Sequence, residues 1–256
     1  MTHGSLFSGI GGFDLAARWM GWDNVFHVER DPFCRQVLSH HFPESQSFDD
    51  VKTFDATHFR GRVSVISGGF PCQPFSAAGK RAGTSDDRYL WPEMFRIIRE
   101  ARPTYVVAEN VRGLLSWNEG LVLDTVCADL EGDGYEVFPA VLPASGVNAP
   151  HRRDRIWIVA TNTNSQVLEH RDREGTPCRP ADAPQRIESP DGPRGWETFP
   201  TVAPVCGGDD GLPKRLDGIT FPKWRRESIK AYGNAIVPQV ALQIFRALED
   251  IDRRTA

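Results

Sequence analysis

Cys72 stands in the segment Gly68-Gly69-Phe70-Pro71-Cys72-Gln73-Pro74-Phe75-Ser76, directly after the apolar run Val63-Ser64-Val65-Ile66. The two prolines fix the backbone on either side of the thiol, and neither can donate a hydrogen bond. A short apolar run bounded by turn residues predicts a buried strand. The carboxyl end of a strand is where an open α/β sheet places its chemistry. A free cysteine taken alone is more often a small buried hydrophobe. Held in a rigid loop at a strand end, this one is a candidate nucleophile.

Other residues in the chain could act with it. Glu109, in Glu109-Asn110-Val111, follows the predicted strand Tyr105-Val106-Val107-Ala108 and so ends at the same sheet edge as Cys72. A partly buried carboxyl there can have a raised pKa and serve as a proton donor near neutrality. A lone glutamate is more often a helix cap or a surface acid. Arg153 and Arg155 lie two apart ahead of Ile156-Trp157-Ile158-Val159, so both can point to one side. A guanidinium can neutralise a phosphate or hold a planar carbonyl, with a salt-bridged surface pair as the bland alternative.

A second kind of chemistry is written near the start. Ser8-Gly9-Ile10-Gly11-Gly12-Phe13-Asp14 follows the first predicted strand, Ser5-Leu6-Phe7, and opens a helix. Glycines there let the backbone turn tightly and approach a ligand, and helix N–H groups attract negative charge. Asp14 occupies the position of the third glycine of a dinucleotide fingerprint, so this is not the NAD pattern. Glu29 ends the second strand, twenty residues after Gly9, where an acid can accept both hydroxyls of a ribose. Asp50 follows the third apolar stretch and is placed to take a hydrogen bond from an amino group. Loop and acids together describe an adenosine-containing cofactor without pyrophosphate, a description S-adenosyl-L-methionine fits.

These residues need a scaffold, and the patterning supplies one. Strand-length apolar runs alternate with helical patterns to about residue 160: Val25-Phe26-His27-Val28, a helix capped by Asp31 with Pro32 in its first turn, helices near residues 92–99 and 121–130, and strands at 135–142 and 156–159. Such alternation predicts an α/β fold with a largely parallel, doubly wound sheet. From residue 161 to 227 the chain is polar and rich in Pro, Gly, Asp and Arg, and reads as a small irregular domain. Residues 228–252 return to helix, with Val240, Leu242, Ile244, Phe245, Leu248 and Ile251 on one apolar face. The expected division is 1–160 plus 228–256 for the catalytic and cofactor-binding domain, and 161–227 for the other.

Composition narrows the class further. The 256 residues carry a net charge of −4, but basic residues bunch at His151-Arg152-Arg153-Asp154-Arg155 and Lys223-Trp224-Arg225-Arg226, which permits local contact with phosphates. Five cysteines, with no C-x-x-C pair, argue against a disulfide framework or a structural zinc site; no metal is expected. The sequence has no signal-peptide pattern and no apolar run of membrane length, which predicts a cytoplasmic protein.

Taken in order, Phe7-Ser8-Gly9-Ile10-Gly11-Gly12, Glu29, Asp50, Pro71-Cys72-Gln73, Glu109-Asn110-Val111, Arg153-x-Arg155 and Gly233-Asn234-Ala235-Ile236-Val237-Pro238 resemble the DNA (cytosine-5) methyltransferases of bacterial and phage type. The resemblance covers roughly residues 4–160 and 228–250. It departs at His151, where the family usually carries Gln. It implies a Rossmann-like, S-adenosyl-L-methionine-dependent methyltransferase, with S-adenosyl-L-homocysteine as product. It also implies that Cys72 adds to C6 of a cytosine, Glu109 protonates or hydrogen-bonds N3, Arg155 holds O2, and Arg153 supports Glu109 or a nearby phosphate. By the same resemblance Phe7, Gly9, Gly11 and Phe13 line the cofactor pocket with Glu29 and Asp50, and Pro71, Asn234 and Ala235 complete it. The base must be flipped out of its duplex to be reached.

The expected partner is double-stranded DNA, bound by a monomer, with a restriction endonuclease as a possible genetic companion and no membrane. Residues 161–227 would form a short target-recognition region, in which Thr163, Asn164, Gln166 and the arginines 171, 173, 179, 186 and 194 could read bases. Two alternatives stand beside this reading. A tRNA-modifying relative would carry a Cys-Phe-Thr element, which the sequence lacks, and a non-catalytic binding module would not need nucleophile and acid together.

Overall fold

The computed structural model of the protein describes residues 1–72, 89–163 and 221–255. Its strands are β1 (Thr2–Leu6), β2 (Asp23–Val28), β3 (Gln46–Phe48), β4 (Val65–Gly68), β5 (Tyr105–Val111), β6 (Tyr135–Leu142) and β7 (Arg155–Asn162). The helices are α1 (Gly12–Trp19), α2 (Pro32–His41), α3 (Trp91–Ala101), α4 (Leu121–Gly132), α5 (Phe221–Asn234) and α6 (Pro238–Thr255).

The strands form one sheet in the order β3-β2-β1-β4-β5-β7-β6. The first five strands pair in parallel, whereas β7 is antiparallel to both β5 and β6. The doubly wound α/β reading therefore holds, with an antiparallel hairpin completing one side. The central strands β1, β4, β5 and most of β7 are buried on both faces, as strands covered by helices on each side must be, whereas the edge strands β3 and β6 are largely exposed. Along β5, Val106 and Ala108 enter one core with Ile66, Met94, Ile97 and Ile98. Tyr105 and Val107 enter the other, with Phe13, Ala16, Trp157 and Phe245. The second core ties the two ends of the chain together: Trp22 stacks on Phe245 of α6 with ring centroids 4.8 Å apart.

Strand order reverses between β1 and β4, so the loops that leave their carboxyl ends diverge and open a crevice. Those two loops are the glycine-rich segment after Leu6 and the segment leading to Cys72.

The structure extends several readings of the sequence. The predicted strand at 105–108 runs on to Val111, so Glu109 and Asn110 lie inside β5, held in register opposite Trp157 and Ile156. The predicted helix at 228–252 is two helices, broken between Asn234 and Pro238, because proline cannot continue a preceding helix but suits the first turn of the next. Thr163 follows the end of β7, which runs antiparallel to β5 and finishes beside the start of that strand, at the sheet edge opposite Cys72 and Glu109. Its hydroxyl donates to the Gly134 carbonyl, so Thr163 is not placed to read a base at the site. The other residues proposed as base readers lie outside the described residues. β7 continues past residue 160, and α5 begins before residue 228.

Candidate active site

The crevice at the strand reversal is a cavity of about 520 Å³ whose wall includes Phe7, Gly9, Glu29, Pro71, Cys72, Glu109 and Asn234. Gly9, Glu29, Cys72 and Glu109, singled out by type and spacing, thus meet in one place with Phe7, Pro71 and Asn234, which the resemblance implied. Asp31, Cys34, Trp117, Lys230 and Ala231 complete much of the remaining wall. Of these, Asp31 is legible in the sequence only as a helix cap.

One end of the cavity is built on backbone held by a carboxylate. Glu29 accepts the Gly9 N–H at 2.7 Å through Oε2 and the Asp31 N–H at 2.7 Å through Oε1. It thereby fastens the glycine loop to the start of α2, which Asp31 caps through Phe33 N–H at 2.9 Å. Gly9 has φ +56°, and a Cβ there would meet nothing within 4 Å, so its backbone is open to the crevice. Lys230 of α5 reaches across to Asp31 at 2.8 Å.

Gly11, Phe13, Asp50 and Ala235 stand apart from that wall. Gly11, at φ +86°, turns the chain into α1 with Phe42 packed where a Cβ would lie. Phe13 is buried in the second core, edge-on to Trp157 at 5.9 Å. The Asp50 carboxylate caps the turn after β3 through Lys52 N–H at 2.9 Å. The carbonyl of Ala235 is taken by Arg153.

The other end carries the reactive groups. Cys72 is 4 % exposed, and burial pushes its thiol up to about 12, so at rest it is protonated. Its loop is tied down by Asn110, whose Nδ2 donates to the Phe70 carbonyl at 2.9 Å. Glu109 is 9 % exposed, and Arg155 Nε lies 3.0 Å from its Oε1. Burial raises the Glu109 pKa more than the neighbouring Arg155 and Arg153 lower it, so the carboxyl sits above its ordinary range. Gly69 makes room for it: a Cβ there would come within 3.2 Å of Glu109 Oε2. Arg153 gives its hydrogen bonds elsewhere, from Nη2 to the carbonyls of Gly233 and Ala235 at 3.0 and 2.6 Å. A rigid thiol, a carboxyl disposed to hold a proton and a paired guanidinium around one crevice can add to an electron-poor ring and receive the charge that develops on it.

A five-stranded parallel run ended by an antiparallel hairpin, with a buried cysteine and a glycine loop at its reversal point, is consistent with the Rossmann-like methyltransferase fold. The profile of the C-5 cytosine-specific DNA methylase family matches residues 1–189, and the chain belongs to that family. It is 37 % identical to the type II methyltransferase M.PspPI of a Psychrobacter strain over 162 residues, 62 % of this chain and 39 % of that protein. Identity to the type II methyltransferase M.Eco47II of Escherichia coli is 39 % over 162 residues, with the same coverage of 62 % and 39 %. The chain thus spans about two fifths of the length of these curated relatives. Among solved structures, a DNA modification methyltransferase encoded within an E. coli prophage superposes with a TM-score of 0.54 at 28 % identity, covering 64 % of this chain and 47 % of that one.

Proposed function

We propose that this chain methylates C5 of cytosine in double-stranded DNA through a covalent adduct of Cys72, with S-adenosyl-L-methionine as methyl donor. The observation that carries the reading is the meeting of Cys72 and Glu109 with Glu29 and Gly9 in one cavity at the strand reversal. The residues fit the cofactor: an open glycine backbone at Gly9 lies against a carboxylate, Glu29, that retains lone pairs for ribose hydroxyls. Glu29, Gly9, Phe7, Pro71 and Asn234 would hold it, with Gly11, Phe13, Asp50 and Ala235 shaping the surrounding backbone. When bound, it supplies an electrophilic methyl group.

The protein's own groups do the rest. The Cys72 thiol gives up its proton to solvent as its sulfur bonds to C6, and the electron pair displaced from the C5–C6 double bond is drawn toward N3, where Glu109 delivers a proton or a hydrogen bond. C5 is then enamine-like and nucleophilic. Arg155 keeps Glu109 in place and presents its remaining N–H groups toward the base carbonyl, while Arg153 stabilises the loop between α5 and α6. After C5 carries the new methyl group, its proton is lost to solvent, the C5–H electron pair re-forms the C5–C6 double bond, the bond from sulfur to C6 breaks with its pair left on Cys72, and any proton on N3 returns to Glu109. A thiol and an acid this deeply enclosed cannot reach a stacked base, so the cytosine must be flipped into the cavity. Residues 161–227 are proposed to carry target recognition.

Labelled S-adenosyl-L-methionine incubated with the protein and either duplex DNA or tRNA tests the reading. Label confined to DNA, located at C5 of cytosine, supports it, and label confined to tRNA or absent from both overturns it.

A further inference from the structure

Arg153, like Phe7 in the cavity wall, is a residue with positive φ beside the site. Its φ of +36° lies in the left-handed region, which a side-chain-bearing residue adopts only under strain. The guanidinium extends from the approach to β7 across to a distant part of the chain, where Nη2 bridges the carbonyls of Gly233 and Ala235. Gly233 belongs to the last turn of α5, whose terminal carbonyls lack partners within the helix, and a cation there also complements the helix dipole. The Arg153 Nε is buried without a hydrogen-bond partner among the described residues.

The segment that Arg153 holds is the one that closes the cavity. Lys230, Ala231 and Asn234 form part of its wall, and two residues beyond Asn234, Ile236 packs where a Cβ of Gly12 would come within 2.6 Å of it. Arg155, two residues after Arg153, is paired with Glu109. The short stretch from 153 to 155 therefore grips the cofactor-side turn with one arginine and the base-side acid with the other.

We infer that Arg153 is a positioning residue that fixes the α5–α6 turn over the cofactor end of the cavity and couples cofactor occupancy to the placement of Arg155 and Glu109. This rests on the cofactor reading given above. It separates the two arginines: Arg155 acts on the base side, and Arg153 acts through the turn.

The test is titration of the full chain with S-adenosyl-L-homocysteine, without DNA, comparing the wild type with Arg153→Ala, Arg153→Lys and Arg155→Ala. Loss of a charge-assisted double contact predicts affinity weaker by about 10–100-fold in Arg153→Ala. Lysine restores part of it, because an ammonium keeps the charge but not the planar fork. Arg155→Ala binds within about twofold of wild type on this account, since its partner is Glu109. In turnover with DNA, Arg153→Ala should raise the cofactor KM more than it lowers kcat, a split that general loss of structure would not give. Hydrogen exchange on the wild type needs no variant: the ligand should slow exchange both in residues 231–237 and in the segment bearing Arg153. Unchanged affinity in a cooperatively folded Arg153→Ala, or protection of 231–237 without any change around Arg153, would overturn the inference. Failure of the wild type to bind the ligand at all would instead overturn the cofactor reading beneath it.

Discussion

Glu109 and Arg155 face each other across the β5–β7 pairing, with Arg155 Nε 3.0 Å from Glu109 Oε1. Strand β7 begins where β5 ends, since Val111 pairs with Arg155, so the antiparallel insertion brings an arginine to a carboxyl at the active edge. A parallel strand in that place would have carried Arg155 to the opposite edge. The pair sets two tendencies against each other: burial favours the neutral acid and the arginine favours the carboxylate.

Replacing Glu109 by Gln should lower the methylation rate by about 10²–10⁴-fold, the usual contribution of a positioned acid. The pH dependence carries more information. The protonated acid is the active form, so the rate should fall as pH rises through the Glu109 pKa. Arg155 lowers that pKa, so Arg155→Ala should move the alkaline limb of single-turnover rates to higher pH while reducing the maximum. A limb that stays put, or moves down, would show that Glu109 is not the titrating donor.

Glu29 uses both oxygens on backbone N–H groups, which makes it a brace as well as a candidate ribose acceptor. Glu29→Gln keeps one acceptor and should weaken S-adenosyl-L-homocysteine binding by about 1–3 kcal/mol, the range for leaving buried polar groups unpaired. Calorimetric titration without DNA measures this directly, and an unchanged dissociation constant would make Glu29 a brace only.

Asp14 is completely buried beneath the glycine loop, accepting from the Ser5 hydroxyl at 2.9 and 3.0 Å, and burial raises its pKa to about 7. A carboxyl whose folded pKa is raised contributes stability that is present below its ordinary value and lost as pH rises through the folded one. His3, also fully buried, is pushed the other way, to about 4 by desolvation, so its contribution is lost as pH falls from 6.5 through 4. Between pH 4 and 6.5 the two slopes oppose each other. Asp14→Asn removes one, and stability should then rise with pH there by about 1.4 kcal/mol per unit relative to wild type. Urea unfolding at a series of pH values checks this; parallel profiles for the two proteins would contradict it.

Much of the site was legible because its parts are local. Cys72 between prolines, the glycine loop after β1 and Glu29 twenty residues beyond Gly9 each announce themselves within a short window. Glu109 was placed at the correct edge, although its strand is longer than the apolar run: Glu109 and Asn110 are polar yet pair with β7, and polarity hid the continuation. The direction of β7 had no local signature, since strand polarity is a property of the connection and the partner. The bond from Arg153 to a turn 80 residues later was equally beyond any periodicity or motif. Trp117 and Lys230 enter the cavity wall through tertiary packing alone.

The central claim is that Cys72 forms a covalent bond to the target base. The direct measurement is denaturing electrophoresis and mass spectrometry of the protein after incubation with S-adenosyl-L-methionine and duplex DNA bearing 5-fluorocytosine at cytosine positions. Fluorine cannot leave C5 as the proton does, so elimination is blocked and the adduct should persist. A denaturant-resistant complex whose cross-linked peptide contains Cys72, and which disappears in Cys72→Ser while S-adenosyl-L-homocysteine binding survives, is the predicted result. Methylation of ordinary cytosine DNA without any such complex, or a complex that still forms in Cys72→Ser, would contradict the account.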